Sequence, residues 1–430
     1  MLSLRLENTL GFLAIIRWVS FDLRWGQLVH PVRGGRWANE EKCVFLSALP
    51  GQCEDSGTTL GSSARCLGKL GSTPRVNKAM REGKNLVGVD IGTTSIKVCQ
   101  IKSGRRGLEL ARFGFEPLSA QVVVDGQVMD ANVVTESLHK IFKESKIRQK
   151  DVAVSVSGQA AIIRKISVPL MTDAELDEQI QWEAEQHIPF DIKDVQVDHQ
   201  VLARNADEGQ MEVLLVAAKR DQIEDYAQLV RAAKLRPVVC DIDAFSVQNL
   251  FEATRGLDPN QTFALVNVGA TLSSLNVIAS GVSSFSREIA NGGNAVTEEI
   301  QRTMGVPFEQ AEAYKCGDET EGMIPDQVIQ VVEGACDSIA AEIQRSLDFF
   351  MATSGDSGIS RLYLTGGCAN LGVLAQAVEQ RSRIPVETWV PTEGIVSVGR
   401  DVDQEKLARH GLQLSVPIGL ALRKDREARA

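Results

Sequence analysis

The stretch LVGVDIGTTSIKVCQI, residues 86–101, constrains this chain more than any other. Two apolar runs of strand composition flank the polar turn Asp-Ile-Gly-Thr-Thr-Ser, which is the pattern of a β-hairpin. Gly92 permits a tight turn and leaves its backbone N–H open to an anion. The successive N–H groups of Gly92, Thr93, Thr94 and Ser95, with the three hydroxyls, form a nest suited to phosphate. Lys97 returns on the second strand as a point charge for a β- or γ-phosphate. Asp90, at the end of the first strand, is placed to hold a water of hydrated Mg2+, an ion that keeps several waters. A plain hairpin, whose Asp and Gly serve only the turn, is the competing reading. No G-x-x-x-x-G-K-[ST] occurs, which excludes a P-loop fold.

The same pattern recurs in residues 262–278, where a strand, Asn267, Gly269, Ala270, Thr271 and a second strand follow in order. A third glycine turn closes the strand at 362–365. There Gly366 and Gly367, with Asn370 after them, open a helix and let an adenosine and its α-phosphate approach the backbone. One glycine turn is weak evidence, but three in this order are strong.

This order resembles the phosphate-1, phosphate-2 and adenosine motifs of the actin, heat-shock chaperone and sugar-kinase superfamily. The resemblance implies an α/β chain with a two-lobed actin-like (ribonuclease H-like) fold and ATP with Mg2+ between the lobes. The middle of the chain narrows the choice. Residues 180–190, IQWEAEQHIPF, then 213–219, VLLVAAK, and the closing 419–423, GLALR, resemble the PilM family of type IV pilus assembly. Members share with FtsA a subdomain called 1C. The resemblance covers residues 84–425 and divides the chain accordingly. Residues 80–164 and 237–262 are expected to form subdomain 1A, 165–236 subdomain 1C, and 263–400 domain II with 2B inserted at about 295–345. Residues 401–430 are expected to return to 1A. Residues 1–79 read as a poorly ordered extension or a mis-assigned start, with the true start near Met80; 51–71 has linker composition.

Bulk properties agree. A chain of 430 residues suggests more than one domain. Its net charge of -10 argues against a broad nucleic-acid surface, without excluding a small local phosphate site. Eight cysteines without a C-x-x-C pair read as reduced thiols, and the five histidines lack metal-ligand spacing. No apolar run approaches the roughly 20 residues of a membrane-spanning helix. The charged end, 423–430, has no apolar face like FtsA's membrane-targeting helix, and the fused transmembrane helix of GspL is also missing. The resemblance therefore implies a cytoplasmic protein, peripheral at the inner membrane, that binds the N-terminal cytoplasmic tail of a PilN-like protein between 1A and 1C. Other pilus assembly or motor proteins are further partners it allows; nucleic acid and direct membrane insertion are not. The fold also permits self-association.

Several residues depart from the pattern or stay open. The second phosphate motif usually begins with Asp, and Asn267 stands here; an amide binds but carries no charge. No Gln or Glu is well placed to orient an attacking water, which weakens hydrolysis more than binding. Glu288 and Glu298 read as surface or helix-dipole charges. Gly292, Gly293 and Asn294 either approach the nucleotide from the second domain or merely start a helix. Thr172 with Glu175 marks the capped start of a helix running to His187. Trp182, with Ile180 and Ile188, reads as core of 1C, with a place in the partner groove as the alternative. Residues 318–321 read as a solvated loop. Three functions compete: a nucleotide-set assembly scaffold, an enzyme (an ATPase or small-molecule kinase), and a filament-forming protein. The scaffold is favoured.

Overall fold

The computed structural model describes residues 16–17, 83–157, 160–318, 324–354 and 358–425. The expectations for Gly158, for residues 319–321, for the charged tail after Asp425 and for most of 1–79 lie outside these residues. Within 1–79, Ile16–Arg17 form a short strand, β1.

Two large sheets share one plan. In the first, β2 (Val87–Ile91), β3 (Ser95–Gly104) and β4 (Gly107–Pro117) run antiparallel, and β7 (Asp151–Val156) and β11 (Arg236–Ile242) continue in parallel beside β2. In the second, β12 (Phe263–Val268), β13 (Ser273–Ala279) and β14 (Val282–Ile289) run antiparallel, and β15 (Arg361–Thr365) and β16 (Val386–Thr388) follow in parallel beside β12. The order β14-β13-β12-β15-β16 therefore matches β4-β3-β2-β7-β11. The first sheet gains β1 at one edge and β17 (Ile395–Val398) at the other. A two-stranded ribbon, β5 (Val123–Val124) with β6 (Gln127–Val128), follows β4. The expected duplicated, two-lobed α/β fold is present.

Alternation explains why these segments are strands. Along β12, Ala264, Val266 and Val268 point into a core shared with α5 (Gly293–Met304), α7 (Asp326–Ser354) and α8 (Gly372–Ser382). Phe263 and Leu265 point the other way, into a second core with Leu86, Cys99, Trp389 and Leu414. That second core joins the lobes. Each fully buried Leu, Ile or Phe contributes roughly 1.5–3 kcal/mol by leaving water. On the first lobe's other face, α1 (Ala131–Glu144) buries Val134, Leu138 and Ile141 at helical spacing, and its start is capped by Asp130. Beside it α3 (Arg220–Ala232) buries Ile223, Tyr226 and Val230.

Between α1 and α3 the chain leaves the first lobe to build a small sheet, β8 (Ala161–Pro169), β10 (Gln210–Lys219) and β9 (Val195–Asn205), in the order β8-β10-β9. Helix α2 (Asp173–His187) covers one face. Its start has the expected capping box, with Thr172 and Glu175 bonded reciprocally. Along β10, Val213, Leu215 and Ala217 face α2, while Leu214 and Val216 face Ile242, Ala244 and Phe245. Both faces of β10 are thus covered, which is why it reads as a continuous apolar run. Trp182 corrects the expectation of a core residue: it is 72% exposed. Leu176, Ile180 and Ala184 recur every four residues and form the buried stripe, so Trp182, two residues past Ile180, falls on the opposite side.

The last described segment returns to the first lobe. Helix α10 (Ser415–Ala421) passes so close to β2 that a Cβ on Gly88 would lie 1.9 Å from the Pro417 carbonyl oxygen. On its other side, a Cβ on Gly419 would lie 1.9 Å from the Ser246 carbonyl oxygen in α4 (Asp243–Arg255). Both positions require glycine because nothing larger fits. Leu86 then donates its N–H to the Arg423 carbonyl, and the Arg423 guanidinium, fully buried, donates to Asp241 at 2.7 Å.

Candidate functional site

The β2–β3 hairpin forms in the expected register, with Asp90 opposite Lys97. The two side chains pair directly, Nζ to Oδ2 at 3.1 Å, and both are largely buried. The role of Gly92 differs from the expectation. Its N–H donates to the Ser95 carbonyl at 3.1 Å, so it closes the turn and is not open to an anion. Its φ is not positive; what it provides is room, since a Cβ there would lie 3.0 Å from Lys97 Nζ. Asp90, Gly92, Thr93, Thr94 and Lys97 line a cleft of about 1420 Å³ between the lobes. Ser95 begins β3, is buried, and is not part of that wall.

The β12–β13 hairpin supplies the facing wall with Asn267, Gly269, Ala270 and Thr271. The Gly269 N–H closes this turn on the Leu272 carbonyl at 2.9 Å. The two hairpins meet: Thr93 Oγ1 and Thr271 Oγ1 are hydrogen-bonded at 2.9 Å. Helix α5 starts against the second turn, its Gly293 and Asn294 N–H groups donating to the carbonyls of Gly269 and Ala270. Those two amides are therefore spent inside the protein, although both residues line the cleft. Gly292 does not line it. A Cβ at Gly292 would lie 2.7 Å from both of these carbonyl oxygens, so this glycine lets the helix dock, the plainer of its two readings.

The third turn is where the backbone demands glycine. Gly366 has φ +94°, and a Cβ would lie 2.4 Å from the Val268 carbonyl oxygen and 2.6 Å from Asn267 Oδ1. Gly366 N–H and Thr365 Oγ1 both donate to the Leu412 carbonyl, which fixes the turn to the segment before α10. Gly366, Gly367 and Asn370 all line the cleft, and the Asn370 amide donates to the Gly367 carbonyl.

Sequence reasoning missed three groups that the fold brings here. Asp243, the first residue of α4, enters the wall beside Asp90. Burial, with Asp90 and Glu288 adding repulsion, holds its carboxyl well above the usual carboxylate range, and Lys97 opposes this. Glu312 and Lys315 lie on the second-lobe wall, on α6 (Phe308–Cys316). Lys315 Nζ donates to Glu312 at 2.6 Å, Thr297 Oγ1 at 2.8 Å and the Gly293 carbonyl at 3.2 Å. His410, one of the five histidines without metal-ligand spacing, stacks on Phe115 with ring centroids 3.8 Å apart and also lines the cleft. Burial first, and then Arg409, Lys406 and Lys97, keep its imidazole below the usual range. The sequence carried one usable signal here, the E-x-x-K spacing of Glu312 and Lys315 on one helical face.

These parts suit a nucleotide. Val328, Val332, Leu371 and Val373 make an apolar wall of a kind a flat base needs. Glu312 and Lys315 offer polar atoms for sugar hydroxyls, and Lys97 with the threonine hydroxyls offers donors for phosphate. Ser155, a buried hydroxyl next to Asp243, stands in the same wall. Among the described residues no group of three or more His, Cys, Asp or Glu is arranged to hold a metal. Two neighbouring carboxylates, Asp90 and Asp243, with one shared lysine fit a Mg2+ ion held mainly through water and phosphate oxygens.

Comparison with known proteins agrees with this architecture. The family model described as type IV pilus assembly protein PilM matches residues 88–425. A solved PilM–PilN type IV pilus biogenesis complex contains a chain 26% identical to this one, at a TM-score of 0.70, over 79% of this chain and 98% of that one. Fainter likenesses include the ethanolamine utilization protein EutJ of Carboxydothermus hydrogenoformans (17% identity, TM-score 0.47, 78% and 89% covered). MreB5 of Spiroplasma citri bound to ADP is another (13% identity, TM-score 0.46, 80% and 98% covered). With the duplicated sheets, the three glycine turns and a match over residues 88–425, the chain belongs to the type IV pilus assembly protein PilM family.

Proposed function

We propose that the chain is a cytoplasmic ATP-binding component of type IV pilus assembly, a scaffold whose nucleotide sets the angle between lobes. The observation that carries this reading is the meeting of the two hairpin turns at Thr93 and Thr271 over a cleft lined by both. A ligand that bridges them favours the closed arrangement by whatever it gains in that state alone. Thr93, Thr94, Lys97, Asn267, Ala270 and Thr271 would hold the phosphates, and Gly366, Gly367 and Asn370 the adenosine. Glu312 and Lys315 would take the ribose. Mg2+, where bound, would supply counter-charge for the phosphate oxygens next to Asp90 and Asp243.

The partner in this reading is the N-terminal cytoplasmic tail of a PilN-like inner-membrane protein; the 26% identical chain belongs to a solved PilM–PilN type IV pilus biogenesis complex, which supports a PilN-like partner. In this reading the small sheet with α2 is the FtsA-type 1C subdomain, and exposed Trp182 on α2 supports the groove reading rather than the core reading. No helix among the described residues is long and apolar enough to cross a membrane, so attachment through a partner fits. A second reading, slow ATP hydrolysis, is favoured by the position of Asp243 in the cleft wall, where its carboxylate form could accept a proton from an attacking water.

The test is a titration of a PilN-tail peptide into the full chain with and without ATP and Mg2+, alongside a turnover assay. A scaffold shows peptide affinities that differ by about 5-fold or more between the two states, the lower end of ordinary coupling. Peptide binding indifferent to nucleotide, fast turnover without the peptide, or phosphate transfer to a small molecule would overturn it.

A further inference from the structure

On the outer face of the first sheet, away from the cleft, lies a groove of about 360 Å³. Lys102 and Arg112 reach it from β3 and β4, and Lys146 and Arg148 from the turn between α1 and β7. Its remaining polar wall is an ordered pair of amides. Gln100 donates to Gln149 at 3.2 Å, and Gln149 donates to the Asn85 carbonyl at 2.7 Å. In a chain of net charge -10, four cations in one small groove run against the background.

Their partners are too few. Lys102 pairs loosely with Glu109 at 3.9 Å, and Arg112 pairs with Asp401 at 2.8 Å. Lys146 and Arg148 form no ion pair among the described residues. Four cations against two carboxylates leave two positive charges, which a phosphate dianion would match and a single carboxylate would not.

The backbone fixes where one of these cations stands. Helix α1 ends in a left-handed residue, the position that favours glycine because a Cβ crowds the following carbonyl. Here that residue is Lys146, at φ +54°, with the N–H groups of Lys146 and Ile147 closing back on Lys143 and Phe142. Lys234 after α3 and Arg383 after α8 hold the same left-handed position, so here the turn sets where the Lys146 side chain enters the groove.

We propose that this groove binds a phosphate group, with Lys146 and Arg148 as its principal ligands and Lys102 and Arg112 as flanking charge. The same chemistry is offered by a soluble phosphate and by a phospholipid headgroup. The test uses the full chain and the Lys146→Glu/Arg148→Glu variant. Inorganic phosphate affinity is read by equilibrium dialysis. Sedimentation is read with phosphatidylcholine vesicles and with vesicles in which part of the lipid is phosphatidylglycerol. The wild-type-minus-variant difference isolates this groove from the cleft. Loss of roughly tenfold or more in phosphate affinity, the scale of one lost charged contact, supports the site with a soluble source. Loss of sedimentation with the anionic vesicles alone supports it with a headgroup source. Equal behaviour of variant and wild type in both assays overturns it. Lys146→Gly separates binding from folding: it should raise Tm by relieving the backbone while still weakening phosphate binding, and unchanged binding in that variant counts against the assignment.

Discussion

The two hairpins that face each other across the cleft have one topology and opposite chemistry. At matching positions of the register the first carries Asp90 and Lys97, the second Asn267 and Ser274. The first hairpin holds an ion pair, and the second holds a neutral amide pressed against a glycine. Duplication preserved the backbone geometry and left charge on one side. A phosphate chain laid between them would be neutralised from the first lobe and shaped by the second. Binding then survives the loss of the second carboxylate better than hydrolysis does.

This asymmetry can be broken from either side. The largest effect is expected from shape: Gly366→Ala forces a Cβ against the Val268 carbonyl at positive φ, and stability should fall by about 3 kcal/mol or more. Urea unfolding reads it, and a loss below about 1 kcal/mol would mean the turn relaxes easily. Next comes charge. Lys97→Ala should weaken ATP binding roughly 10- to 100-fold, as loss of a charge-assisted contact does, whereas Asn267→Ala should cost less than tenfold. Equal losses in calorimetric titration would erase the distinction between the lobes. The smallest effect tests the crowding of carboxylates on the charged side. Asp243 has its folded-state pKa raised, so its ionisation opposes folding once pH exceeds its unfolded value. Asp243→Asn should therefore raise Tm at pH 7.5 by roughly 2–4 °C, and the gain should vanish as pH falls below about 4. A gain that is independent of pH would point to packing rather than charge.

Much of the fold was legible because it is local. Alternation along residues 86–101 and 262–278 set the strands, and Thr172 with Glu175 set the start of α2. The site was legible only in its turns. Asp243, Lys315 and His410 come from α4, α6 and the segment before α10, and only tertiary packing brings them to one cleft. The glycine turns have reasons that sequence does not carry: Gly92 is needed for space beside Lys97 and Gly292 for helix docking. Trp182 was misplaced because the polar helix around it has a buried stripe only one residue wide.

The seam between the small sheet and α4 has a mechanical meaning. Leu214 and Val216 rest on Ala244 and Phe245, and the residue just before these is Asp243. A tether pulling on the small sheet would load that helix at its cleft end first. If the proposed partner holds the small sheet, its pull would arrive at the buried carboxyl of Asp243 in the cleft wall, where force and chemistry would be read by the same residue.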